Sequence, residues 1–250
     1  NTTAGNNTAL GKSAGAATTT GSENTFIGSL SGDVNTTGAN NTSLGYIALS
    51  TASEADNNTA VGHAALYLNT TGADNTAVGK SALAAATTAS GNTAVGINAG
   101  NTITTGTYNV AIGFNAQPTA VGSAGQFTMG DTNITTLRCN VQTISSLSDS
   151  RDKTDVIDSP YGLDFINTIR PVQFKWETRD GNKKDGTKRV GFLAQELLES
   201  CNGNNAVLDL VLDENPEKLE AKYGNLLPIM VQAIKELSAK VTELEDKLNG

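Results

Sequence analysis

The chain has 250 residues, a formal net charge of -8, and a composition rich in glycine and poor in aromatic side chains. Its negative charge disfavours a nucleic acid as the main partner. Its one histidine and two cysteines, Cys139 and Cys201, fit neither a histidine-based catalytic triad nor a metal-binding spacing. We therefore expect no cofactor, no metal and two free thiols. No apolar run reaches about 18 residues, which predicts no membrane insertion.

Composition divides the chain near residue 147. Only three of the 17 lysine and arginine residues and six of the 25 acidic residues lie before residue 148. The front half has too few large apolar side chains for a conventional globular core, whereas the back half is charged and helix-forming, so we expect two or three structural units. Because Asn1 already lies inside a repeat, we also expect the sequence to be part of a longer protein.

A repeat of 17 residues fills most of the front half. The motif Asn-Thr-x-(Leu/Ile/Val)-Gly returns in unbroken register, with Val110 in place of threonine in the last copy. Such a period leaves room for two strands of about five residues and two turns, but for no useful amphipathic helix. The copies span residues 7–11, 24–28, 41–45, 58–62, 75–79, 92–96 and 109–113.

Stacking these turns aligns equivalent side chains in columns at about 4.8 Å per turn, which predicts a β-solenoid roughly 30 Å long. We expect the aliphatic column to fill a thin interior and the small column to let a neighbouring chain approach closely. Asparagine and glycine suit turns because they tolerate positive φ. The aliphatic column is Leu10, Ile27, Leu44, Val61, Val78, Val95 and Ile112, and the small column is Ala14, Ser31, Ala48, Ala65, Ala82, Ala99 and Ala116.

The repeats resemble the heads of trimeric autotransporter adhesins, and similar repeats occur in phage tail fibres. The resemblance covers residues 1–117 and implies a homotrimer of left-handed parallel β-rolls. A disordered low-complexity segment is the alternative, but seven copies in register disfavour it. The asparagine ladder could stabilise turns or hold a ligand or metal, and turn stabilisation is the simpler interpretation.

Residues 118–147 depart from the motif. Pro118 is predicted to end the register, and residues 126–130 and 134–144 are rich in alternating β-branched side chains, which indicates strands. We interpret this segment as a β-structured neck, intertwined among three chains.

The junction that follows contains Ser148-Asp149-x-Arg151-x-Lys153. It could be a flexible polar linker. It could also hold a serine activated by a lysine, which must be neutral to accept the hydroxyl proton. A spacing of five residues does not lie on one helical face, so the two side chains would have to meet across a turn.

The back half predicts an α+β domain followed by a coiled coil. We expect a short helix in residues 161–169, a strand at 172–176 with Trp176 as a core anchor, a hairpin over 179–188, a return strand at 189–193 and a helix at 194–200. A heptad seam then favours self-association of a helix at about residues 224–249. The seam is Leu227, Met230, Ile234, Leu237, Val241, Leu244 and Leu248.

Several spaced motifs resemble the C-terminal intramolecular chaperone domain of phage endosialidases, tail fibres and neck appendages. They are Ser-Asp-x-Arg-x-Lys-Thr-Asp from Ser148, the segments 163–176 and 190–196, and Tyr223-x-x-Leu-Leu-Pro. The resemblance covers residues 148–250 and implies a domain that trimerises the preceding β-fibre and then cuts itself off. It implies Ser148 as nucleophile, Lys153 as general base and the Ser148–Asp149 bond as the cut. Attack on the preceding Leu147 carbonyl through an N-to-O acyl shift is equally allowed by geometry.

These features predict a self-cleaving serine endopeptidase within a phage tail fibre. We expect the fibre to assemble in the bacterial host cytoplasm, to belong to the virion and to bind a host surface receptor, which could be a glycan. The main alternative is an uncleaved adhesin or fibre with a permanent C-terminal trimerisation clamp. A glycan-degrading repeat array is disfavoured because no carboxylate pair lies inside the register.

Overall fold

A computed structural model describes residues 3–134, 136–138, 140, 148–177 and 186–249. The chain forms two compact units, Asn1–Thr135 and Thr136–Gly250. Each unit is described by itself below. Most of the predicted hairpin at 179–188 and most of the second half of the predicted neck, including Cys139, lie outside the described residues.

The first unit is a parallel β-solenoid, as the repeat predicts. Each turn contributes one strand, and neighbouring strands pair in parallel with an offset of one repeat, as in Thr59↔Thr76. The strands follow one another in chain order through a single sheet. Handedness and three-fold packing stay predictions. The strands are β1 Thr8–Leu10, β2 Thr25–Ile27, β3 Thr42–Leu44, β4 Thr59–Val61, β5 Thr76–Val78, β6 Thr93–Val95, β7 Val110–Ile112 and β8 Phe127–Met129.

The prediction of two five-residue strands per turn is wrong. Each turn has one strand of three residues, because left-handed residues recur too often for a second strand. In one turn Gly45, Ile47, Leu49 and Asn57 all have positive φ, and such residues break a pleated strand. The backbone still bonds to the next turn, as in the 2.9 Å contact from the Leu49 N–H to the Ala65 carbonyl.

The predicted assignment of interior and exterior columns is also reversed. Successive side chains of a strand alternate between its two faces, so a three-residue strand whose middle side chain faces inward turns both flanking side chains outward. In β4 the middle residue is Ala60, which is fully buried, and the small column from Ser31 onward is buried as well. Leucines such as Leu66 supply the larger interior side chains. The aliphatic column therefore lies on the outer face, and the small column fills a narrow core.

The motif asparagines form a buried ladder that joins the turns. The Asn75 backbone N–H donates to Asn58 Oδ1 at 3.1 Å, and Asn75 Oδ1 in turn accepts from the Asn92 backbone N–H at 3.0 Å. The Asn75 amide nitrogen also donates to the Ala89 carbonyl at 2.8 Å. The asparagines thus stabilise turns, mainly by satisfying buried backbone groups of the adjacent repeat rather than by adopting positive φ.

The motif glycines are required by backbone geometry. Gly62 has φ +129°, and a Cβ placed there would lie 2.6 Å from the Gly79 carbonyl oxygen. Both the dihedral and the close approach exclude larger residues.

The prediction that Pro118 ends the register is wrong, because the strand ladder continues beyond residue 117. Strand β8 pairs in parallel with β7, and Gln126 occupies the asparagine position, with its backbone N–H donating to Asn109 Oδ1 at 3.0 Å. Residues 126–130 are therefore a degenerate eighth copy of the motif. A Gln in place of Asn, and a Phe in place of Thr, conceal it in the sequence.

The second unit contains small helices and two-stranded sheets around a compact core. Strands β9 and β10 form an antiparallel pair, and α2 begins and ends at the predicted residues, whereas the predicted helix at 161–169 is reduced to α1. Helix α3 and the antiparallel pair β11 and β12 were not predicted. The elements are α1 Leu163–Ile166, β9 Val172–Lys175, β10 Lys188–Gly191, α2 Ala194–Ser200, α3 Asn205–Leu208, β11 Val211–Leu212, β12 Glu220–Ala221 and α4 Leu226–Asn249.

The core of this unit joins α2, β11 and the start of α4. Leu197, Leu210, Val211 and Ile229 are buried in it. The prediction that Trp176 anchors the core is wrong, because this side chain is 42% exposed. It lies just past the end of β9 and packs edge-on against Phe174, with ring centroids 5.3 Å apart.

Candidate functional site

The junction residues Ser148 and Lys153 lie in contact. Lys153 Nζ donates to Ser148 Oγ at 2.6 Å. A 3-10 turn at Ser150–Asp152 reverses the chain between them, which explains how side chains five residues apart meet without sharing a helical face. The sequence spacing required any contact between the two side chains to cross a turn, and the structure has this arrangement.

Asp149 and Arg151 complete the turn. Asp149 is its N-cap, with Oδ1 accepting from the Arg151 backbone N–H at 2.9 Å. The Arg151 side chain reaches back to the same carboxylate, with Nε 3.0 Å from Oδ1 and Nη2 2.6 Å from Oδ2. These side-chain hydrogen bonds, followed by the backbone one, hold the pKa of the Asp149 carboxyl below its ordinary value.

The whole segment from Ser148 to Lys153 is exposed in the single chain. A lysine can serve as a base only in its neutral form, and burial favours that form whereas water favours the ammonium. The geometry in the isolated chain therefore positions the pair but leaves the Lys153 amine in water. Leu147, whose carbonyl is the alternative point of attack, lies outside the described residues.

Helix α4 presents the predicted heptad seam to solvent. Its inward face, Leu226, Ile229 and Ala233, is buried on its own unit, whereas the seam residues are between 46% and 84% exposed. Burial of α4 ends near Ala233, so its last four turns have no apolar partner within the described chain. An apolar seam with this spacing is typical of a helix that associates with other helices.

Glu236 ties α4 to the segment that follows the junction. Its Oε2 accepts from the Leu163 backbone N–H at 2.8 Å, which caps α1, and Gln232 donates to Oε1 at 2.9 Å. The Leu163 N–H is the main reason that the pKa of Glu236 lies below its ordinary value. No sequence motif predicts this contact, because the two residues are 73 positions apart.

The solenoid carries a second apolar surface, which we call the aliphatic stripe. It consists of the outward residues at the end of each strand, and most of them are 36% to 66% exposed. Eight strands in parallel register make it about 34 Å long. An apolar patch of this extent is typical of an interaction surface. Its members are Leu10, Ile27, Leu44, Val61, Val78, Val95, Ile112 and Met129.

Other functional groups are sparse in the described part of the chain. It contains no group of three His, Cys, Asp or Glu residues arranged to hold a metal ion. Cys201 is a buried free thiol, and burial, with a smaller contribution from Asp213, raises its pKa. Within the same residues, none of the helices has the length and apolar character to cross a membrane.

Comparison with known families identifies the segment that contains this site. Residues 148–208 match the model of a peptidase family described as the chaperone of endosialidase. Comparisons with curated proteins and with solved structures gave no match. The matched segment begins at Ser148 and includes Lys153, α1, α2 and the β9–β10 pair. Residues 148–208, which follow the parallel β-solenoid in the sequence, are therefore similar to the chaperone domain of endosialidases.

Proposed function

We propose that this chain is part of a phage tail fibre whose C-terminal domain assembles the β-solenoid as a homotrimer and then releases itself by cleavage at Ser148. The observation that carries the proposal is the 2.6 Å contact between Ser148 Oγ and Lys153 Nζ, at the first residue of a segment matching a peptidase family of chaperones. The fibre would belong to the virion, assemble in the host cytoplasm and bind a host surface receptor.

Two surfaces support the assembly role. The seam of α4 and the aliphatic stripe are both apolar and exposed in the single chain, and burying them removes that area from water at about 25 cal/mol per Å². Neither surface fixes the number of copies. Three copies follow from the resemblance to adhesin heads and to endosialidase chaperones.

Register is the physical problem that such a chaperone solves. Successive turns of the solenoid are nearly identical, so two chains could pack one repeat out of step with little loss of contact. The helical seam forms from local contacts and forms early, whereas the solenoid depends on contacts between residues a full repeat apart. Early association of α4 would raise the effective concentration of the repeat arrays and fix their C-terminal ends in register.

Cleavage requires a proton transfer and an acyl transfer. Lys153, when neutral, accepts the hydroxyl proton of Ser148 as Oγ attacks the scissile carbonyl carbon. An ester forms to Oγ, the peptide C–N bond breaks, and the proton passes to the leaving amine. Water then hydrolyses the ester, which restores the hydroxyl and leaves a carboxylate. Attack on the Leu147 carbonyl breaks the Leu147–Ser148 bond in this way and is an N-to-O acyl shift. For the Ser148–Asp149 bond, which the resemblance implies, attack by Ser148 on its own carbonyl would give a β-lactone as the ester that water opens.

The exposure of Ser148 and Lys153 in the single chain suggests when cleavage occurs. In the single chain Ser148 and Lys153 are both exposed. Packing of further copies around the junction would exclude water and favour the neutral amine. Cleavage would then follow assembly, and the released trimer would be kinetically trapped because its chaperone is gone.

The alternative is a fibre in which the domain stays attached as a permanent clamp. The exposure of Lys153 in the single chain favours it, because burial is what would favour a neutral lysine. Replacing Ser148 by alanine separates the two functions, because only the self-cleaving function predicts loss of a cut.

The assembly role is tested with two chains, the full chain carrying Ser148→Ala and a chain that ends at residue 147. Sedimentation and far-ultraviolet circular dichroism report oligomeric state and β-structure after refolding. We expect the full chain to form β-rich trimers and the shortened chain to stay monomeric or to aggregate. Equal yields of β-rich trimer from both chains would contradict a chaperone role.

A further inference from the structure

The turn between Ser148 and Lys153 depends on one carboxylate. Asp149 caps it through the Arg151 backbone N–H, and its own carbonyl accepts from the Asp152 N–H at 3.2 Å. The turn closes with the Lys153 N–H donating to the Ser150 carbonyl at 3.3 Å. An Asp side chain that caps its own turn restricts the backbone between the nucleophile and the base.

The Arg151 side chain also donates hydrogen bonds to the Asp149 carboxylate. Its Nε lies 3.0 Å from Oδ1 and 3.2 Å from Oδ2, while Nη2 lies 2.6 Å from Oδ2. Both carboxylate oxygens therefore already accept from a guanidinium. The planar, forked arginine side chain binds both oxygens through two different nitrogen atoms, whereas a lysine offers one ammonium nitrogen without this fixed geometry.

The pairing of Asp149 with Arg151 affects Lys153. The charged residues along this segment are Asp149, Arg151, Asp152 and Asp155, and none of the ion pairs among described residues includes Lys153. A carboxylate beside an amine favours the protonated amine, which cannot act as a base. Pairing of Asp149 with Arg151 leaves Lys153 free to contact Ser148.

We propose that Asp149 and Arg151 are positioning residues for self-cleavage: Asp149 holds the turn that brings Ser148 to Lys153, and Arg151 keeps the Asp149 carboxylate from pairing with Lys153. This inference rests on the proposed function. It assigns the two residues distinct effects, since Asp149 controls how often the pair is in contact and Arg151 controls the pH at which the base works.

The test separates assembly from cleavage. Chains are purified unfolded, refolded and assembled at about pH 5.5, where a lysine amine stays protonated. They are then transferred to buffers between about pH 6.5 and pH 10, and the cut fraction is followed by denaturing gel. The variants are Arg151→Ala, Arg151→Lys, Asp149→Asn and the double variant Asp149→Asn/Arg151→Ala. Arg170→Ala, which loses an exposed ion pair with Glu196 in the same unit, is the matched control.

We expect Arg151→Ala to move the pH midpoint of the cleavage rate upward by about one pH unit, because Asp149 is released toward Lys153. Arg151→Lys should lie between this variant and wild type. Asp149→Asn should slow cleavage about three- to tenfold at every pH, because an amide is a weaker partner for Arg151. The double variant should have the same midpoint as Asp149→Asn, since the carboxylate that would pair with Lys153 is gone.

A uniform loss of rate in Arg151→Ala with an unchanged midpoint would overturn the inference, because a merely structural role slows cleavage equally at all pH values. An upward shift that persists in the double variant would overturn it as well. Arg170→Ala must behave as wild type, and circular dichroism before transfer must match among the variants. If wild type itself is never cut, the proposed function fails. If wild type is cut and the midpoints coincide, only this inference fails.

Discussion

Replacing Asn75 by alanine tests the asparagine ladder in the middle of the solenoid. The change removes the acceptor of the buried Asn92 backbone N–H and the donor to the Ala89 carbonyl. An unpaired buried polar group costs about 1 to 3 kcal/mol, so two of them predict a loss of about 2 to 6 kcal/mol in the free energy of unfolding. The Asn58 side chain keeps a partner, because it also accepts from the backbone N–H at position 75.

Chemical denaturation followed by circular dichroism measures this loss in the Ser148→Ala background, which keeps the chain whole. Thr71→Ala, an exposed position in the same repeat, is the matched control and should change stability by less than about 0.5 kcal/mol. If Asn75→Ala costs no more than the control, the ladder does not hold adjacent turns together. The columns of packed alanine and leucine would then carry the solenoid.

The remaining predictions concern backbone geometry, association and pH. Gly62→Ala should destabilise the solenoid by at least about 1 to 2 kcal/mol, because φ is positive at this position. Gly5→Ala, which has open space around it, should leave stability unchanged. Thermal melts of the two variants measure the difference. Leu237→Lys places a charge in the exposed seam and should shift sedimentation from trimer to monomer, unlike Lys240→Ala outside the seam. The Leu163 backbone N–H at the start of α1 lowers the pKa of the Glu236 carboxyl that caps the helix. The stabilisation from this cap is therefore present above the ordinary value of 4.5 and is lost as pH falls through the lowered pKa. Glu236→Gln should therefore flatten the decline of melting temperature below that pH, and an unchanged slope would contradict the capping role.

The period of the repeat predicted the register of the solenoid but not its cross-section. Identical motifs must stack, so the parallel pairing of β4 with β5 follows from spacing alone. Which column faces inward depends on strand length and on the alternation of side chains. A three-residue strand such as Thr59–Val61 buries only Ala60, and the outward valine then joins the aliphatic stripe. Positive φ at non-glycine residues such as Leu66 has no sequence signal of its own.

The eighth turn of the solenoid departs from the motif and is therefore hard to recognise in the sequence. Gln126 stands one repeat after Asn109 and presents its backbone N–H to the same ladder. Spacing could have found it, because only the backbone N–H is needed at that end of the ladder. Pro118 interrupts the motif without ending the solenoid, since a proline in a turn removes no strand hydrogen bond.

The candidate site was predicted in part. The residues around Ser148 and Lys153 carried the resemblance, and the spacing required only that any contact between the two side chains cross a turn, as the observed one does. The pairing of Asp149 with Arg151 could not be predicted, because it depends on the rotamers of both side chains. The hydrogen bond between Glu236 and α1 could not be predicted either, because it depends on tertiary packing between residues 73 positions apart. The exposure of Trp176 could not be predicted either, because it depends on where β9 ends. The apolar character of the tryptophan side chain does not reveal that position.

The central claim, self-cleavage through Ser148 and Lys153, is tested most directly by intact mass spectrometry of the purified chain beside Ser148→Ala and Lys153→Ala variants. We predict that wild type gives two fragments meeting at residue 148 or 149, whose masses identify the scissile bond, and that both variants stay whole. A wild-type chain that assembles as a trimer and stays whole, like the variants, would contradict self-cleavage and leave the C-terminal domain as a permanent clamp on the fibre.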